Sequence, residues 1–199
     1  KDTDMLNRNW GFVPAEVDIL LLSHAHIDHC GLIPKLVYEG FKGPIYCTPA
    51  TKDLATILLE DSAHIQEEDA KYINKKRAAS GQPYVKPLYT SEDAAKAMQY
   101  FKPVQYGEWT KIGDGLEVLY TDAGHIIGSA AVHLKVTENG VTEQISFSGD
   151  VGRYRDVILR SPETFPQADY ILLESTYGNS LHEMQSTTPD QLLYWIEKI

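Results

Sequence analysis

Cysteine is scarce in this chain of 199 residues, which contains only Cys30 and Cys47. Two cysteines in a sequence without a secretion signal are expected to stay reduced, so no disulfide framework is predicted.

Long apolar runs are also missing. None approaches the roughly 18 residues of a membrane span, and the stretch from Lys1 to Trp10 is polar, without the apolar core of a signal peptide. We therefore expect a cytoplasmic protein with no membrane association.

Basic residues are outnumbered, with 18 Lys and Arg against 28 Asp and Glu, a net charge of −10. This balance argues against sequence-independent binding of nucleic acid over the whole protein surface, because such binding needs many contacts from Lys and Arg side chains. It leaves a nucleic-acid substrate possible, since bound divalent cations reverse the local sign of the field. The 43% of apolar residues is ordinary for a globular protein with one core, or one core and an appendage.

Short apolar runs bounded by turn residues alternate with segments of helical spacing. Strands are predicted at residues 17–23, 45–47, 116–121, 129–136, 141–148 and 168–174, the first and last of them buried. Asn139-Gly140 is a strong hairpin signal between two of these strands. Helices are predicted over residues 31–39, from Thr48-Pro49 toward Arg77, from Ser91 as the N-cap through Phe101, and over 189–199. This order of elements indicates an α/β fold.

The segment His24-Ala25-His26-Ile27-Asp28-His29 carries three imidazoles and a carboxylate directly after the first predicted strand. Imidazole nitrogen and carboxylate oxygen are ligand types that suit zinc. Alternation along an extended loop sends His24 and His26 to one side. Asp28 and His29, at the turn into a helix, can then serve a second metal.

Two later positions repeat this design at strand ends. His125 follows a predicted strand in D-A-G-H-I-I-G-S, and Asp150 follows another in S-F-S-G-D-V-G. Taken alone, His125 could equally be a core histidine and Asp150 a turn residue. Beside the histidine motif, we interpret both as ligands of the same site.

These motifs resemble those of the metallo-β-lactamase superfamily, and within it the β-CASP branch of RNA- and DNA-processing nucleases. The superfamily resemblance lies in H-A-H-I-D-H, in Gly124-His125 and in Gly149-Asp150. The branch resemblance lies in G-H-I-I-G-S-A, S-G-D-V-G-R and the stretch L-L-E-S-T-Y-G-N that begins at Leu172. It covers nearly the whole chain and implies a metallo-β-lactamase αββα sandwich, incomplete at both termini.

The resemblance also implies roles for individual residues. One zinc would be held by His24, His26 and His125, and another by Asp28 and His29, with Asp150 bridging both. Glu174 matches an acidic residue that supports the catalytic end of the site without binding metal, so the expected catalytic residues are Asp28, Asp150 and Glu174. The alternative interpretation of Glu174 is a strand-terminal acid that caps the next turn.

The activity implied is hydrolysis of phosphodiester bonds in RNA, less readily DNA, by a hydroxide held between the two zincs. Residues 1–180 would form a partial metallo-β-lactamase domain and residues 181–199 the start of a β-CASP insert. The last zinc ligand and the general acid of the branch would lie outside this chain, since only His182 follows Asn179.

Two other functions remain open from the sequence. A thioesterase or lactonase of the same fold would use the same ligands on a small molecule, because fold and metal ligands do not set the substrate. An inert interaction platform would not need an intact ligand set. His64, in a helical stretch, is interpreted as a surface or core residue, and His133 as a residue that faces outward from an alternating strand. The cluster Lys71, Lys75, Lys76 and Arg77 is interpreted as a solvated helix face rather than a phosphate contact.

Overall fold

A parallel sheet of three short strands forms one layer of the protein in the computed structural model, which describes residues 2–180 and 188–198. Its strands are β1 (Leu20–Leu21), β2 (Ile45–Cys47) and β3 (Phe101–Pro103), in that order. The predicted strand over 17–23 is therefore shorter than expected. Its partner β2 is only three residues long, because Pro44 precedes it and Thr48-Pro49 opens a helix directly after it.

A second sheet contains five strands, ordered β4 (Thr110–Gly113), β5 (Leu116–Asp122), β6 (Ala130–Glu138), β7 (Val141–Phe147) and β8 (Tyr170–Leu172). Neighbours are antiparallel except for β7 and β8, which run parallel. The predicted hairpin is confirmed. Asn139 and Gly140 both have positive φ, 51° and 79°, as the tight turn between β6 and β7 requires.

The two sheets pack face to face. Val118, Tyr120 and Val132 of the second sheet form a cluster against Leu21 and Tyr46 of the first. Two hydrogen bonds join the layers: the Tyr120 hydroxyl donates to the carbonyl of Tyr46 at 2.8 Å, and the Ala130 N–H donates to the carbonyl of Ser23 at 2.9 Å.

Helices cover the other face of the three-stranded sheet. They are α3 (Ile33–Tyr38), α4 (Pro49–Ser80) and α5 (Ser91–Ala97), and they bury side chains such as Leu36, Leu59 and Ala94 in one core with Ile45 and Phe101. Shorter helices are α1 (Asp2–Arg8), α2 (Ile27–Cys30) and two 3-10 turns, Pro14–Glu16 and Met98–Tyr100. The predicted α/β class is confirmed.

Helix α4 begins as the sequence predicts. The Thr48 side chain accepts a hydrogen bond from the Thr51 N–H, and the helix ends at Gly81, which adopts the left-handed conformation with φ 63°. None of the described helices is long and apolar enough to cross a membrane.

Two expectations for α5 are wrong. Its cap is Thr90, which forms a reciprocal capping box with Asp93, rather than Ser91. The helix also stops before Phe101, which begins β3 and pairs with Ile45. Pro103 excludes a continued helix there, and pairing with β2 satisfies the backbone instead.

The predicted strand at 168–174 exists as β8, but it is not buried. More than half of the surface of Tyr170, Ile171 and Leu172 is exposed, because β8 is the edge strand and pairs only with β7. The predicted C-terminal helix is α6 (Thr188–Lys198). Cys30 and Cys47 are buried free thiols, as expected.

Candidate metal centre

The predicted ligands lie at one end of the sandwich because of how the strands run. Strands β5 and β7 are both antiparallel to β6, so they end at the same edge, where His125 and Asp150 follow them. The loop after β1, which carries His24 and His26, is held to that edge by the hydrogen bond from Ala130 to Ser23. Three loops that are far apart in sequence are thus brought together.

Four ligand-type atoms converge there, from His24, His26, His125 and Asp150, all within 4.8 Å of one another. His26 Nδ1 lies 3.1 Å from both His24 Nε2 and His125 Nε2. Asp150 Oδ2 lies 3.6 Å from His24 Nε2 and 3.4 Å from His125 Nε2. The sequence motif and the two distant residues are therefore parts of one cluster.

These separations fit a single four-coordinate ion. Ligand atoms about 2.1 Å from one zinc at tetrahedral angles lie about 3.4 Å from each other. Four of the six separations, at 3.1 to 3.6 Å, lie on both sides of that value, and all six are within 4.8 Å. The donor set of three imidazoles and one carboxylate is also one that divalent metals of the zinc type prefer.

A second group shares Asp150 with the first. His29 Nε2 lies 3.4 Å from Asp150 Oδ1 and 3.6 Å from Asp28 Oδ2. The two carboxylate oxygens of Asp150 thus face different histidines, Oδ1 toward His29 and Oδ2 toward His24 and His125. Asp28 is largely exposed. This group can hold a second ion beside the first, with an open side toward solvent.

The surroundings of His24 keep its imidazole neutral, which is the form that binds metal. Burial, followed by repulsion from the imidazoles of His29, His26 and His125, lowers the pKa of His24 to about 3. Burial also lowers the pKa of His125. A neutral imidazole presents a lone pair, which is the form that ligates metal. Ser23 Oγ lies 3.1 Å from His24 Nδ1 and orients the ring from its other nitrogen.

The turn carrying His125 is held by contacts that the sequence analysis missed. The Ser129 hydroxyl accepts hydrogen bonds from the backbone N–H groups of His125 and Ile126. The Thr48 and Thr51 hydroxyls donate to the carbonyl of Gly128 at 2.7 and 2.8 Å. The G-S pair after His125 is a local signal for Ser129, whereas nothing local connects residues 48 and 51 to this turn.

The Glu174 side chain is linked to the site by a hydrogen bond to the backbone next to Asp150. Its Oε1 accepts a 2.6 Å hydrogen bond from the N–H of Val151, the neighbour of Asp150. Of the other histidines, His64 is exposed on α4, and His133 is buried on β6 between Thr121 and Ser146. His64 matches its interpretation, but the expectation that His133 faces outward is wrong, because its ring is fully buried and hydrogen-bonded to two buried hydroxyls. His182 lies outside the described residues.

A cleft of about 330 Å³ opens beside the cluster. Its lining includes His125, Asp150 and Glu174, and also Arg153, Asp156 and Leu159. Polar and charged groups contribute much of this lining, which includes two of the predicted ligands, His125 and Asp150.

The chain belongs to the metallo-β-lactamase superfamily. The family described as "Metallo-beta-lactamase superfamily domain" matches residues 2–177. Similarity to the solved structure of MEM-A1, a subclass B3 metallo-beta-lactamase from a soil metagenome library, is weak, with 22% identity and a TM-score of 0.41 over 69% of this chain and 43% of that chain.

Curated relatives carry names from RNA metabolism. Ribonuclease TTHA0252 of Thermus thermophilus is 36% identical over 95% of this chain and 38% of its own length. Transcription termination factor FttA of Methanocaldococcus jannaschii is 33% identical over 82% of this chain and 23% of its own length. FttA of Pyrococcus horikoshii is 35% identical over 82% of this chain and 23% of its own length. The chain thus spans less than two fifths of the length of these relatives.

Proposed function

We propose that this chain is the metal-binding part of a zinc-dependent nuclease that hydrolyses phosphodiester bonds in RNA. The observation that carries the proposal is the convergence of six ligand-type residues at one end of the sandwich, beside an open polar cleft that His125 and Asp150 line. The six residues are His24, His26, Asp28, His29, His125 and Asp150. The name of the relative from Thermus thermophilus, a ribonuclease, supports RNA as the substrate.

The proposed ligands divide into two sets that share Asp150. His24, His26 and His125 would hold one zinc, and Asp28 and His29 the other. When bound, two such ions lower the pKa of a water molecule and neutralise charge that develops on the phosphate. Asp150 orients the ligand sets relative to each other, since its two oxygens face histidines of different sets. Glu174 fixes the backbone directly after Asp150.

The lining of the cleft favours a nucleic acid over a thioester or a lactone. A small apolar substrate needs an enclosed pocket with mostly hydrophobic walls. Here the walls carry carboxylates and Arg153, and the cleft is open to solvent. An inert platform would have no need for four ligand atoms held within 4.8 Å.

The same proposal assigns residues 181–199 to the start of a β-CASP insert. Helix α6 supports this assignment, because Leu192, Leu193, Trp195 and Ile196 expose more than half of their surface. Apolar side chains in such number on one helix need a partner to bury them. The last zinc ligand and the general acid would then lie outside this chain.

A panel of substrates tests the proposal. The complete protein that contains this chain is loaded with zinc and offered labelled single-stranded RNA, S-lactoylglutathione, an acyl-homoserine lactone and a chromogenic β-lactam under one set of conditions. We expect zinc-dependent cleavage of the RNA that stops with chelator. An Asp150→Asn variant should lose nearly all of this turnover, whereas Asp114→Asn, at an exposed turn, should keep it. Rapid turnover of one of the small molecules with intact RNA would refute the proposal.

A further inference from the structure

Arginine residues are concentrated beside the candidate metal ligands. The chain has five arginines, Arg8, Arg77, Arg153, Arg155 and Arg160, and three of them fall within eight residues. Residues 152–162, here named the arginine loop, contain these three and a single acid, Asp156. The loop therefore carries a net charge of +2 in a chain whose total is −10.

Both ends of the arginine loop are fixed at the residue that precedes His125. At its start, the Gly152 N–H donates to the carbonyl of Ala123 at 2.8 Å, and the α-carbon of Gly152 faces the Gly124 carbonyl so closely that no side chain would fit. At its end, Gly124 lies directly against the Arg160 carbonyl and Pro162. The loop thus leaves and returns at one metal-ligand turn.

Between these anchors the loop projects outward with a defined internal structure. Asp156 Oδ1 accepts hydrogen bonds from the N–H groups of Ile158 and Leu159, and Ser161 Oγ accepts one from the N–H of Arg155. Val157, near the tip, is 96% exposed. The loop lines the cleft through Arg153, Asp156 and Leu159, and His125 and Asp150 belong to the same lining.

The order of side chains fits a single nucleic-acid strand. Tyr154 is 72% exposed and stands between Arg153 and Arg155 in sequence. Strand-binding proteins combine cations that track the phosphates with aromatic rings on which bases stack. A free phosphate would use the arginines but not the ring.

The basic cluster on α4 is a weaker candidate for the same role. Lys71 is paired with Glu68 at 2.7 Å, Lys76 lies over the Tyr72 ring, and Arg77 donates to the Pro83 carbonyl. None of these cations lines the cleft beside the ligands, whereas Arg153 does.

We propose that the arginine loop binds the RNA strand next to the bond to be cut, with Arg153 and Arg155 on backbone phosphates and Tyr154 stacked on a base. This inference rests on the proposed nuclease function and adds the surface that places the strand at the metal cluster. A cationic wall attached to the turn of His125 holds a phosphate at a fixed distance from the ligands.

The test measures binding of a short single-stranded RNA with phosphorothioate linkages to the zinc-loaded complete protein, over a series of salt concentrations. The double variant Arg153→Gln with Arg155→Gln should bind about 10- to 100-fold more weakly. The slope of log Kd against log salt should fall by about 0.7 for each arginine. Tyr154→Leu should weaken binding by about 5- to 50-fold, as for one lost stack, without changing the slope.

The matched control removes the same charge elsewhere. Lys75→Gln with Lys76→Gln should bind RNA like the wild type, and the zinc content of every variant should equal that of the wild type. If the arginine variant binds like this control, with an unchanged slope, the loop proposal is overturned while RNA cleavage by the wild type still stands. If the wild type neither binds nor cuts RNA, the proposed function itself fails.

Discussion

Glu174 accepts, through Oε1, a hydrogen bond from the backbone N–H of Val151 at 2.6 Å. The N–H of Glu174 in turn donates to Ser148 Oγ at 2.9 Å. The segment after β8 is therefore tied to residues on both sides of Asp150. Through these bonds Glu174 acts as a positioning residue, because it fixes the backbone that carries the shared carboxylate.

Removal of this acceptor should displace Asp150 without removing it. We expect Glu174→Ala to lower the rate of RNA cleavage by about 10- to 100-fold, the range typical of residues that orient ligands. Glu174→Gln should recover much of that loss, since the amide oxygen still accepts from Val151. The measurements are the cleavage rate and the zinc affinity of each variant. Glu143→Ala, at an exposed position of β7, is the control, and equal rates for Glu174→Ala and this control would exclude the positioning role.

Metal content gives a direct test of the ligand set. Zinc-loaded complete protein should contain close to two ions per chain, and His26→Ala should lose half of them or more, because His26 Nδ1 lies 3.1 Å from both other imidazoles of the first set. His64→Ala removes an exposed histidine of α4 and should leave the content unchanged. Elemental analysis is the measurement, and a wild type without metal after loading is the result that contradicts the site.

His133 should make stability depend on pH. Burial lowers its pKa from 6.5 to about 4. In the unfolded chain the imidazole takes up a proton between these values, whereas the folded protein does not. The free energy of unfolding should therefore fall as the pH drops from 6.5 toward 4, by up to about 3 kcal/mol from this group alone, and be fully retained above 6.5.

Denaturant unfolding of metal-free protein across this range measures the effect. His133→Gln should have a smaller pH slope, by as much as about 1.4 kcal/mol per pH unit, whatever its absolute stability. The imidazole can also be titrated in the folded wild type by NMR. A midpoint near 6.5 there would contradict the expected shift.

The local part of the candidate site could be predicted from the sequence. His24, His26, Asp28 and His29 are contiguous, and His125 and Asp150 stand between glycines at strand ends, so their chemistry is visible without a structure. The distances among them are not, because they depend on how β1, β5 and β7 are brought to one edge. The hydrogen bonds of Thr48 and Thr51 to Gly128 bridge nearly 80 residues and leave no local pattern.

The incorrect predictions of secondary structure and burial have related causes. Phe101 continues the helical spacing of Ala94 and Met98, but pairing with β2 outweighs that preference. The run from Ala168 to Glu174 is as apolar as a buried strand, yet β8 lies at the edge of its sheet. Propensity and periodicity describe a segment alone, whereas its partners decide its final state and burial.

Gly152 should be intolerant of any side chain. A β-carbon there would lie 1.7 Å from the Gly124 carbonyl oxygen and 2.7 Å from the His125 nitrogen, both backbone atoms that cannot rotate away. Gly152→Ala must therefore separate the turns that carry His125 and Asp150. We expect a loss of about 1–3 kcal/mol in the free energy of unfolding, as for overpacked sites, together with weaker zinc binding. Gly11→Ala is the matched control, because a β-carbon at that position meets nothing within 4 Å. Denaturant unfolding and a zinc titration give the two readouts. If Gly152→Ala matches Gly11→Ala in both, the close approach of these two turns does not exist in solution.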